Sequence, residues 1–355
     1  MSAHSFIEKH WVKRSILSYL FLPLAFLFSL ILCLRRILYS YRFFRSYKAD
    51  AFIISVGNHT VGGNGKTPFT ILLAHALKHE NLKVAVSHRG YKGAFEHTIK
   101  LISDEEQIFE DTYLAGDEPL LIANNCKGIP VIVGSNRKAA IKFLQNKFSP
   151  NVIILDDSFQ HLHVKHDYDF LLFNGKNPIG NGFVIPAGML REPASAIKHA
   201  DCYVMNDISD EYYIPKQLKK YSAPLISTTY QIRSLIHFQD SKEEKLGSVT
   251  GKKVMLVSGI GNPLSFENSL QRCGFDIVNH LKFKDHHEYN DNDVHEIIKK
   301  AEKSKADMII TTEKDYVKLK NLNIDYSKFY YAKLKVIINE FEIFNGIVDA
   351  LKKEM

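Results

Sequence analysis

The stretch that decides the fold is SVGNHTVGGNGKTPFTILLAHAL, residues 55–77. An apolar segment leads into a glycine-rich turn, then Lys66 and Thr67, and then a helical pattern whose first turn tolerates Pro68. Glycines let successive backbone N–H groups face one anion, and the N-terminus of the following helix adds the positive end of its dipole. The stretch therefore predicts a loop that binds nucleotide phosphates, in preference to a plain strand, turn and helix.

Thr60 stands where the pattern G-x-x-x-x-G-K-[ST] has its first glycine. Later glycines keep the loop flexible, so we expect a functional variant of the motif. Lys66 is expected to reach the β- and γ-phosphates, and the Thr67 hydroxyl to bind Mg²⁺. The predicted nucleotide-binding residues are Thr60, Val61, Gly62, Gly63, Asn64, Gly65, Lys66 and Thr67.

Outward from this loop, short apolar runs alternate with helical patterns. Such alternation predicts an α/β fold, with a P-loop NTPase-like, mostly parallel sheet domain and a second, smaller α/β domain. A polar, less regular stretch that includes QDSKEEKLGS separates the two series. The predicted divisions are an N-terminal membrane-associated helix with its basic flank (1–48), the P-loop domain (49–215), a linker (216–250) and the smaller domain (251–355).

The N-terminal segment combines an uncharged run with basic flanks. Residues 15–34 carry no charge, and as a helix they would be about 30 Å long, roughly one hydrocarbon thickness. Arginines and tyrosines on both sides suit a lipid interface better than a buried core helix. A cleaved signal peptide fits less well, because arginines rather than a small-residue cleavage site follow the run. We expect membrane attachment, by a helix that spans the bilayer or lies in its interface.

Charge and cysteine usage argue against a nucleic-acid-binding protein and against a fold built on disulfides or a zinc ribbon. The chain has a formal net charge of +7, but residues 9–49 contain eight bases and no acid, so the remainder is nearly neutral. We therefore expect no nucleic-acid partner. Four cysteines stand far apart without a CxxC pair, which fits a reducing compartment and neither a disulfide framework nor a zinc ribbon.

A second strand, NVIILDD (151–157), ends in two acids. A carboxylate at the end of a buried strand beside the loop strand is how such sheets hold a metal ion, although two acids could also lie in an exposed turn. Three weaker clusters are AGDEPLL, KDHHEY and PAGMLREP, at 115–121, 284–289 and 186–193. They could serve in proton transfer or anion binding, but helix capping or plain surface exposure would also explain them.

A zinc site is the main rival interpretation of one further stretch, HLHVKHD (161–167). Its candidate ligands are His161, His163, His166 and Asp167. Their spacing matches no closed zinc pattern, and no cysteine lies nearby. We therefore disfavour this alternative.

Taken together in their order, these motifs resemble the tetraacyldisaccharide 4′-kinases, the lipid A 4′-kinases of Gram-negative bacteria. The motifs are VGNHTVGGNGKT, SHRGY, GDEP, LDDSFQH, PAGMLREP, KDHHEY and TEKD, and the likeness extends from the N-terminal helix to residue 319. Members of this family typically carry Ser or Thr at the position of Thr60. The resemblance implies transfer of the ATP γ-phosphoryl group, with Mg²⁺, to the 4′-hydroxyl of a tetraacylated glucosamine disaccharide 1-phosphate. It also implies a site at the cytoplasmic face of the bacterial inner membrane.

The resemblance also implies roles for individual residues. Lys66 binds phosphate, and Asp117 with His286 forms a pair that activates the acceptor hydroxyl. The residues expected near the metal are Thr67, Glu118, Asp156, Asp157 and Gln160. The residues expected to bind the lipid substrate are Arg89, Tyr91, Arg137, His161, Arg191 and Glu192. Ser158 and His88 depart from the common pattern, and we expect neither to alter the chemistry, while Lys314 and Asp315 receive no role.

Two other classes remain as alternatives. A P-loop switch or metallochaperone GTPase would read guanine through an Asn/Thr-Lys-x-Asp loop, but Lys314 and Asp315 are adjacent in TEKD. A membrane-tethered nucleotide-binding protein without turnover would make the matches at Asp117 and His286 accidental. A switch protein would also not need an N-terminus suited to an acylated substrate.

Overall fold

One continuous sheet runs through both halves of the chain. The computed structural model describes residues 10–90, 98–109, 115–206, 214–320, 322 and 325–355. Within them the sheet order is β11-β10-β12-β13-β8-β7-β6-β1-β5-β2-β4-β3, with β9 paired to β8. The strands are β1 Phe52–Asn58, β2 Val84–His88, β3 Lys100–Ser103, β4 Val131–Val133, β5 Val152–Asp156, β6 Tyr168–Asn174, β7 Cys202–Asn206, β8 Leu225–His237, β9 Glu243–Lys245, β10 Lys253–Ser258, β11 Asp276–Lys282, β12 Met308–Thr312 and β13 Phe329–Ile338.

The helices follow the strands in the alternation that the sequence predicts. A short 3₁₀ helix, Ala194–His199, precedes β7. The α-helices are α1 Ile16–Leu20, α2 Leu22–Ser40, α3 Lys66–His79, α4 Asp117–Asn125, α5 Arg137–Phe148, α6 Lys216–Lys219, α7 Leu246–Val249, α8 Pro263–Arg272, α9 Asp291–Lys303, α10 Glu313–Leu319 and α11 Phe341–Glu354.

The central strand β1 places the glycine-rich loop. It pairs in parallel with β5 on one side and with β6 on the other, and six of its seven residues are buried. Because parallel strands present their carboxyl ends at one edge of a sheet, the loop after β1 and the acids after β5 meet there. This arrangement confirms the predicted mostly parallel α/β fold.

The range 216–250, predicted to be a linker, contains the long strand β8. This strand pairs in parallel with β7 and in antiparallel register with β13, so it joins the two halves into one sheet. The expectation of irregular structure across 216–250 is therefore wrong. β13 begins only at Phe329, and a partner that distant leaves no local signal in the sequence.

The last helix returns to the first half of the chain. Phe344, Ile347, Val348 and Leu351 of α11 pack in the same buried cluster as residues of β1 and α3. A second cluster is built from residues of the C-terminal half alone, including Met255 and Ile297. Helix α11 therefore lies beyond the predicted boundary at 251 yet packs in the core of the first half, and the division into domains stays a prediction.

Helix α2 is apolar and almost entirely exposed. It has a mean hydropathy of 1.8 and is long enough to cross a membrane, yet only 6% of its most apolar window is buried. Leu24, Phe26, Leu30 and Ile31 project away from the fold, each more than half exposed. Pro23 lies in its first turn. A buried core helix, the alternative considered above, does not describe α2.

Candidate active site

Thr60 has a defined place in the glycine-rich loop. Its hydroxyl accepts a hydrogen bond from Asn64 Nδ2 at 2.7 Å, and its carbonyl oxygen accepts one from Asn58 Nδ2 at 2.7 Å. The backbone N–H of Val61 donates to Met189 O at 2.9 Å. Where a glycine would offer flexibility, threonine closes the loop with a buried side-chain bond. The loop is therefore internally braced.

Gly65 begins helix α3 in a left-handed conformation, with φ of 72°. A Cβ atom there would stand 1.8 Å from Asn206 Nδ2 and 2.0 Å from Tyr230 Oη, so no other residue fits. Asn206, at the end of β7, donates through Nδ2 to Asn64 O at 2.8 Å. The loop thus rests on side chains from β7 and β8, and its backbone is held at the start of the helix.

Asp156 lies at the buried end of β5, directly below the helix start. Its two carboxylate oxygens accept hydrogen bonds from the hydroxyls of Thr67 at 3.1 Å and Thr70 at 3.2 Å. Burial raises the pKa of the Asp156 carboxyl, and the nearby Glu118 carboxylate adds to that effect. A hydroxyl and a carboxylate held side by side at a strand end are the protein groups that hold Mg²⁺ in P-loop enzymes.

Asp157 connects the loop lysine with the loop after β6. Its Oδ1 lies 3.7 Å from Lys66 Nζ and accepts a hydrogen bond from Arg191 Nη1 at 2.8 Å. Burial opposes ionisation, but Lys66 and Arg191 together lower the pKa of the Asp157 carboxyl. Asp157 has a φ of 54°, in the left-handed region that few non-glycine residues adopt and that aspartate enters more readily than most. Two cations and an acid therefore meet beside the phosphate loop.

Glu118 reaches the same cluster from the first turn of α4. Its Oε2 lies 3.0 Å from Nε2 of His88, and the same nitrogen lies 3.8 Å from Asp156 Oδ2. Burial would raise the pKa of the Glu118 carboxyl, but the hydrogen bond from His88 and the charges of two nearby lysines lower it well below its usual range. Gln160, by contrast, donates through Nε2 to Asn58 O at 2.9 Å.

The donor set suits Mg²⁺. This ion prefers oxygen ligands, keeps several waters, and is usually bound by one or two carboxylates plus substrate phosphates. The buried Asp156 carboxylate, next to the Thr67 hydroxyl and at the foot of the phosphate loop, supplies such a partial shell. Within the described ranges, no group of three or more His, Cys, Asp or Glu side chains could enclose a metal by itself. The residues present therefore fit a metal that is held jointly with nucleotide.

Asp117 and His286 meet across the two halves of the chain. His286 Nδ1 lies 3.1 Å from Asp117 Oδ2, and Lys318 Nζ lies 2.8 Å from the same oxygen. Burial alone would raise the pKa of the Asp117 carboxyl, but the hydrogen bonds from His286 and Lys318 outweigh it and lower that pKa. His286 has a φ of 61°, so its backbone, like that of Asp157, is held in the left-handed region. The imidazole is fixed in one orientation by an ionised acid.

The other nitrogen of His286 faces a lysine. Lys314 Nζ lies 3.2 Å from His286 Nε2 and 3.1 Å from Asp285 Oδ1. Asp315, the next residue, is buried and accepts hydrogen bonds from the Gly259 N–H and the Thr312 hydroxyl. Lys314 of the TEKD motif therefore contacts His286, and Asp315 holds the end of β10 through Gly259.

The residues predicted to bind the lipid substrate do not all share one surface. Arg89 is exposed, and Tyr91 lies outside the described residues. His161 is partly buried, and burial together with Arg137 lowers the pKa of its imidazole to about 4. Arg137 is buried and donates to Ser87 Oγ and to Asp156 O, so its guanidinium braces the strand end. The contact with a substrate phosphate that is predicted for Arg137 stays a prediction.

Glu192 is the clearest departure from the predicted substrate site. It is 1% exposed and accepts two hydrogen bonds from Arg36 of helix α2, at 2.8 and 2.6 Å. Arg35, the neighbour of Arg36, donates to Gln160 O at 3.0 Å. Glu192 therefore links the exposed apolar helix to the loop that carries Arg191, a tertiary contact that sequence spacing does not reveal.

The zinc alternative finds no support in the geometry. His163 contacts the Tyr39 hydroxyl at 2.7 Å, His166 contacts Asp169 at 2.9 Å, and Asp167 accepts the Ile53 N–H at 2.9 Å. These residues have separate partners on different elements. His163 instead lines a cavity of about 590 Å³ at the C-terminal end of α2, with the basic residues Arg45, Lys48, Arg137, Lys138 and His161.

A braced glycine-rich loop beside a buried carboxylate, together with an imidazole oriented by an acid, is typical of a P-loop phosphotransferase. The family model for tetraacyldisaccharide-1-P 4′-kinases matches residues 17–352. A tetraacyldisaccharide 4′-kinase of Halothermothrix orenii is 36% identical over 91% of this chain and 88% of its own length. That of Pelobacter propionicus is 36% identical, with 92% and 90% covered. The chain belongs to the tetraacyldisaccharide-1-P 4′-kinase family.

A solved structure gives the same result for the fold. The chain superposes on LpxK from Aquifex aeolicus in complex with ATP, with a TM-score of 0.79 and 28% identity, over 94% of this chain and 99% of that one. The predicted family, fold class and enzyme class are confirmed, and so is the function, an ATP-dependent kinase of lipid A biosynthesis.

Sequence reasoning missed four residues of the site. His88 and Asn206 each end a buried strand, and a polar residue at the carboxyl end of a parallel strand is a signal that could have identified both. Lys314 and Lys318 lie one helical turn apart on α10, and this i,i+4 spacing places them on one face.

Proposed function

We propose that this chain transfers the γ-phosphoryl group of ATP to the 4′-hydroxyl of a tetraacylated glucosamine disaccharide 1-phosphate, with Asp117 and His286 as the acceptor-activating pair. The observation that carries this assignment is the 3.1 Å contact between His286 Nδ1 and Asp117 Oδ2. The two residues come from opposite halves of the chain, and their contact faces the edge where the phosphate loop ends. A phosphate-binding protein without an acceptor would not need it.

In the proposed reaction, the bond between the γ-phosphorus and the ADP oxygen breaks as a bond from phosphorus to the 4′-oxygen forms. The hydroxyl proton passes to His286 Nε2, because Asp117 holds Nδ1 and leaves Nε2 as the accepting atom. Lys314 Nζ occupies the space beside that nitrogen at 3.2 Å. The entering hydroxyl therefore displaces the Lys314 ammonium, which then lies next to the transferring phosphoryl charge.

Lys66 and the backbone N–H groups of residues 62–67 hold the donor phosphates, since the Val61 N–H already donates to Met189 O. Bound Mg²⁺ would neutralise charge that develops between the β- and γ-phosphates. Thr67 and Asp156 are the residues proposed to hold it, with Glu118 and Asp157 close by. Arg191, paired with Asp157, is placed to orient the γ-phosphoryl group.

Helix α2 is proposed to attach the enzyme to the cytoplasmic face of the inner membrane. Its exposed apolar surface and basic flank fit a bilayer interface, where an acylated acceptor resides. The basic cavity at the C-terminal end of the helix is proposed to accept the anionic sugar head group, with His161 on its wall. Arg89 lies exposed beyond β2 and would complete that site.

The test is direct. Purified protein is incubated in detergent with ATP labelled at the γ-phosphate, Mg²⁺ and the disaccharide 1-phosphate lipid. We expect a bisphosphorylated lipid that carries the label, and the same lipid already blocked at the 4′-position should remain unlabelled. Release of labelled inorganic phosphate without lipid product would reject the proposal in favour of a nucleotide hydrolase.

A further inference from the structure

His88 stands between the proposed metal-binding carboxylates and has no role so far. It ends strand β2, and its side chain is 3% exposed. Its Nε2 lies 3.0 Å from Glu118 Oε2 and 3.8 Å from Asp156 Oδ2. A buried imidazole that contacts acids from two other elements is well placed to set the distance between those acids.

The hydrogen bonds of the ring define its tautomer. The backbone N–H of Gly90 donates to His88 Nδ1 at 2.8 Å, so Nδ1 carries a lone pair. The proton of the neutral ring therefore lies on Nε2, which donates it to Glu118. Nδ1 of His88 therefore holds the Gly90 N–H, and Nε2 holds the Glu118 carboxylate.

We infer that His88 is a positioning residue that holds the Glu118 carboxylate at the edge of the Mg²⁺·nucleotide site. The inference rests on the proposed function, because it needs a metal to be bound beside Asp156. Glu118 extends from the first turn of α4, directly after Asp117 of the proposed catalytic pair. Partners that orient the ligands of a metal typically contribute 10- to 100-fold to its affinity.

Two substitutions test the two hydrogen bonds of the His88 imidazole one at a time. His88→Gln keeps a donor near the position of Nε2 and gives up the acceptor for Gly90. His88→Asn keeps an acceptor near the position of Nδ1 and gives up the donor to Glu118. If His88 orients Glu118, the Asn variant should bind metal about tenfold more weakly than the Gln variant.

The readout is binding of Mn²⁺, used as the probe, by electron paramagnetic resonance in the presence of a non-hydrolysable ATP analogue. Affinity for the analogue without metal should be equal in all variants. In a variant that already carries Glu118→Gln, adding His88→Asn should not weaken Mn²⁺ binding further. Equal Mn²⁺ affinity in the Asn and Gln variants, or an unchanged loss in the Glu118→Gln background, would overturn the role of His88.

Mn²⁺ binding by the parent protein distinguishes a failure of this inference from a failure of the proposed function. If the parent binds no Mn²⁺ with the analogue, the proposed metal site fails. If the parent binds Mn²⁺ and both variants bind it equally, only the role of His88 fails. Apparent melting temperature serves as the folding control, because a purely structural role would lower it in both variants without changing the ratio of their Mn²⁺ affinities.

Discussion

Nδ1 of His286 lies 3.1 Å from Oδ2 of Asp117, although 169 positions separate the two residues in the chain. The acid stands at the start of helix α4, within the phosphate-binding half, and the imidazole stands on the loop after β11. Only the joining of both halves into one sheet brings them into contact. The catalytic assignment thus depends on the tertiary arrangement, and each step of it can be tested.

Removal of the proposed base should slow the chemical step. His286→Ala should lower kcat by about 10²–10⁴, the usual contribution of general acid–base catalysis. The measurement is steady-state transfer of labelled phosphoryl to the lipid at saturating ATP. His287→Ala is the matched control, since His287 contacts Asp293 at 3.0 Å and stacks on Phe283, away from Asp117. The opposite ranking of these two variants would assign the base to His287.

The loop lysine should be required for turnover. Lys66→Ala should reduce phosphoryl transfer to background, because no other described lysine is placed on the loop itself. Lys78→Ala, on the last turn of the same helix, removes a lysine that donates only to backbone carbonyls of residues 127 and 128. Transfer by the Lys78 variant should stay near that of the parent. Near-normal turnover by the Lys66 variant would exclude the loop from the mechanism.

The link between helix α2 and the site should contribute to stability. Arg36→Ala leaves the buried Glu192 carboxylate without its partner, and breaking such a pair costs about 3–5 kcal/mol. We expect a lower urea midpoint in detergent. Arg35→Ala, which removes a single bond to Gln160 O, should cost less. Equal stability of the Arg36 variant and the parent would show that the helix does not support this loop.

Acid should destabilise the protein through His59. This residue is buried, neither ring nitrogen has a hydrogen-bond partner in the described part of the chain, and burial followed by the charge of Arg36 lowers the pKa of its imidazole from 6.5 to about 3. Between these values the unfolded chain binds a proton that the folded chain does not, so stability falls as the pH drops below 6.5. The loss attributable to His59 at pH 5 is about 2 kcal/mol.

The check is urea unfolding at pH 7.5 and pH 5. His59→Phe should make the difference between the two free energies of unfolding smaller by about 2 kcal/mol. His295→Gln, at an exposed position on α9, should leave that difference unchanged. An unchanged difference in the His59→Phe variant would show that His59 does not titrate as proposed.

Local patterns predicted the local parts of this molecule. The alternation of apolar runs and helical patterns predicted the α/β class, and the apolar segment, glycine-rich turn and helical pattern of residues 55–77 predicted β1, the loop and α3. The order of the motifs gave the family. These features depend on residues close together in sequence, where periodicity and turn chemistry operate.

Contacts between distant segments were not predictable in the same way. Strand β8 fell in a range predicted to be a linker, because its partner β13 lies far along the chain. Glu192 was expected at the sugar and pairs instead with Arg36, at a sequence separation of 156. His88 was noticed as a departure from the family pattern, but its contact with Glu118 exists only in the folded chain.

The most direct test of the central claim is a double-mutant cycle on kcat with Asp117→Asn and His286→Ala. If one unit composed of acid and imidazole activates the acceptor, the double variant should be scarcely slower than His286→Ala alone, because either change disables the same step. If the two losses instead multiply, Asp117 and His286 act independently and the proposed pair is wrong.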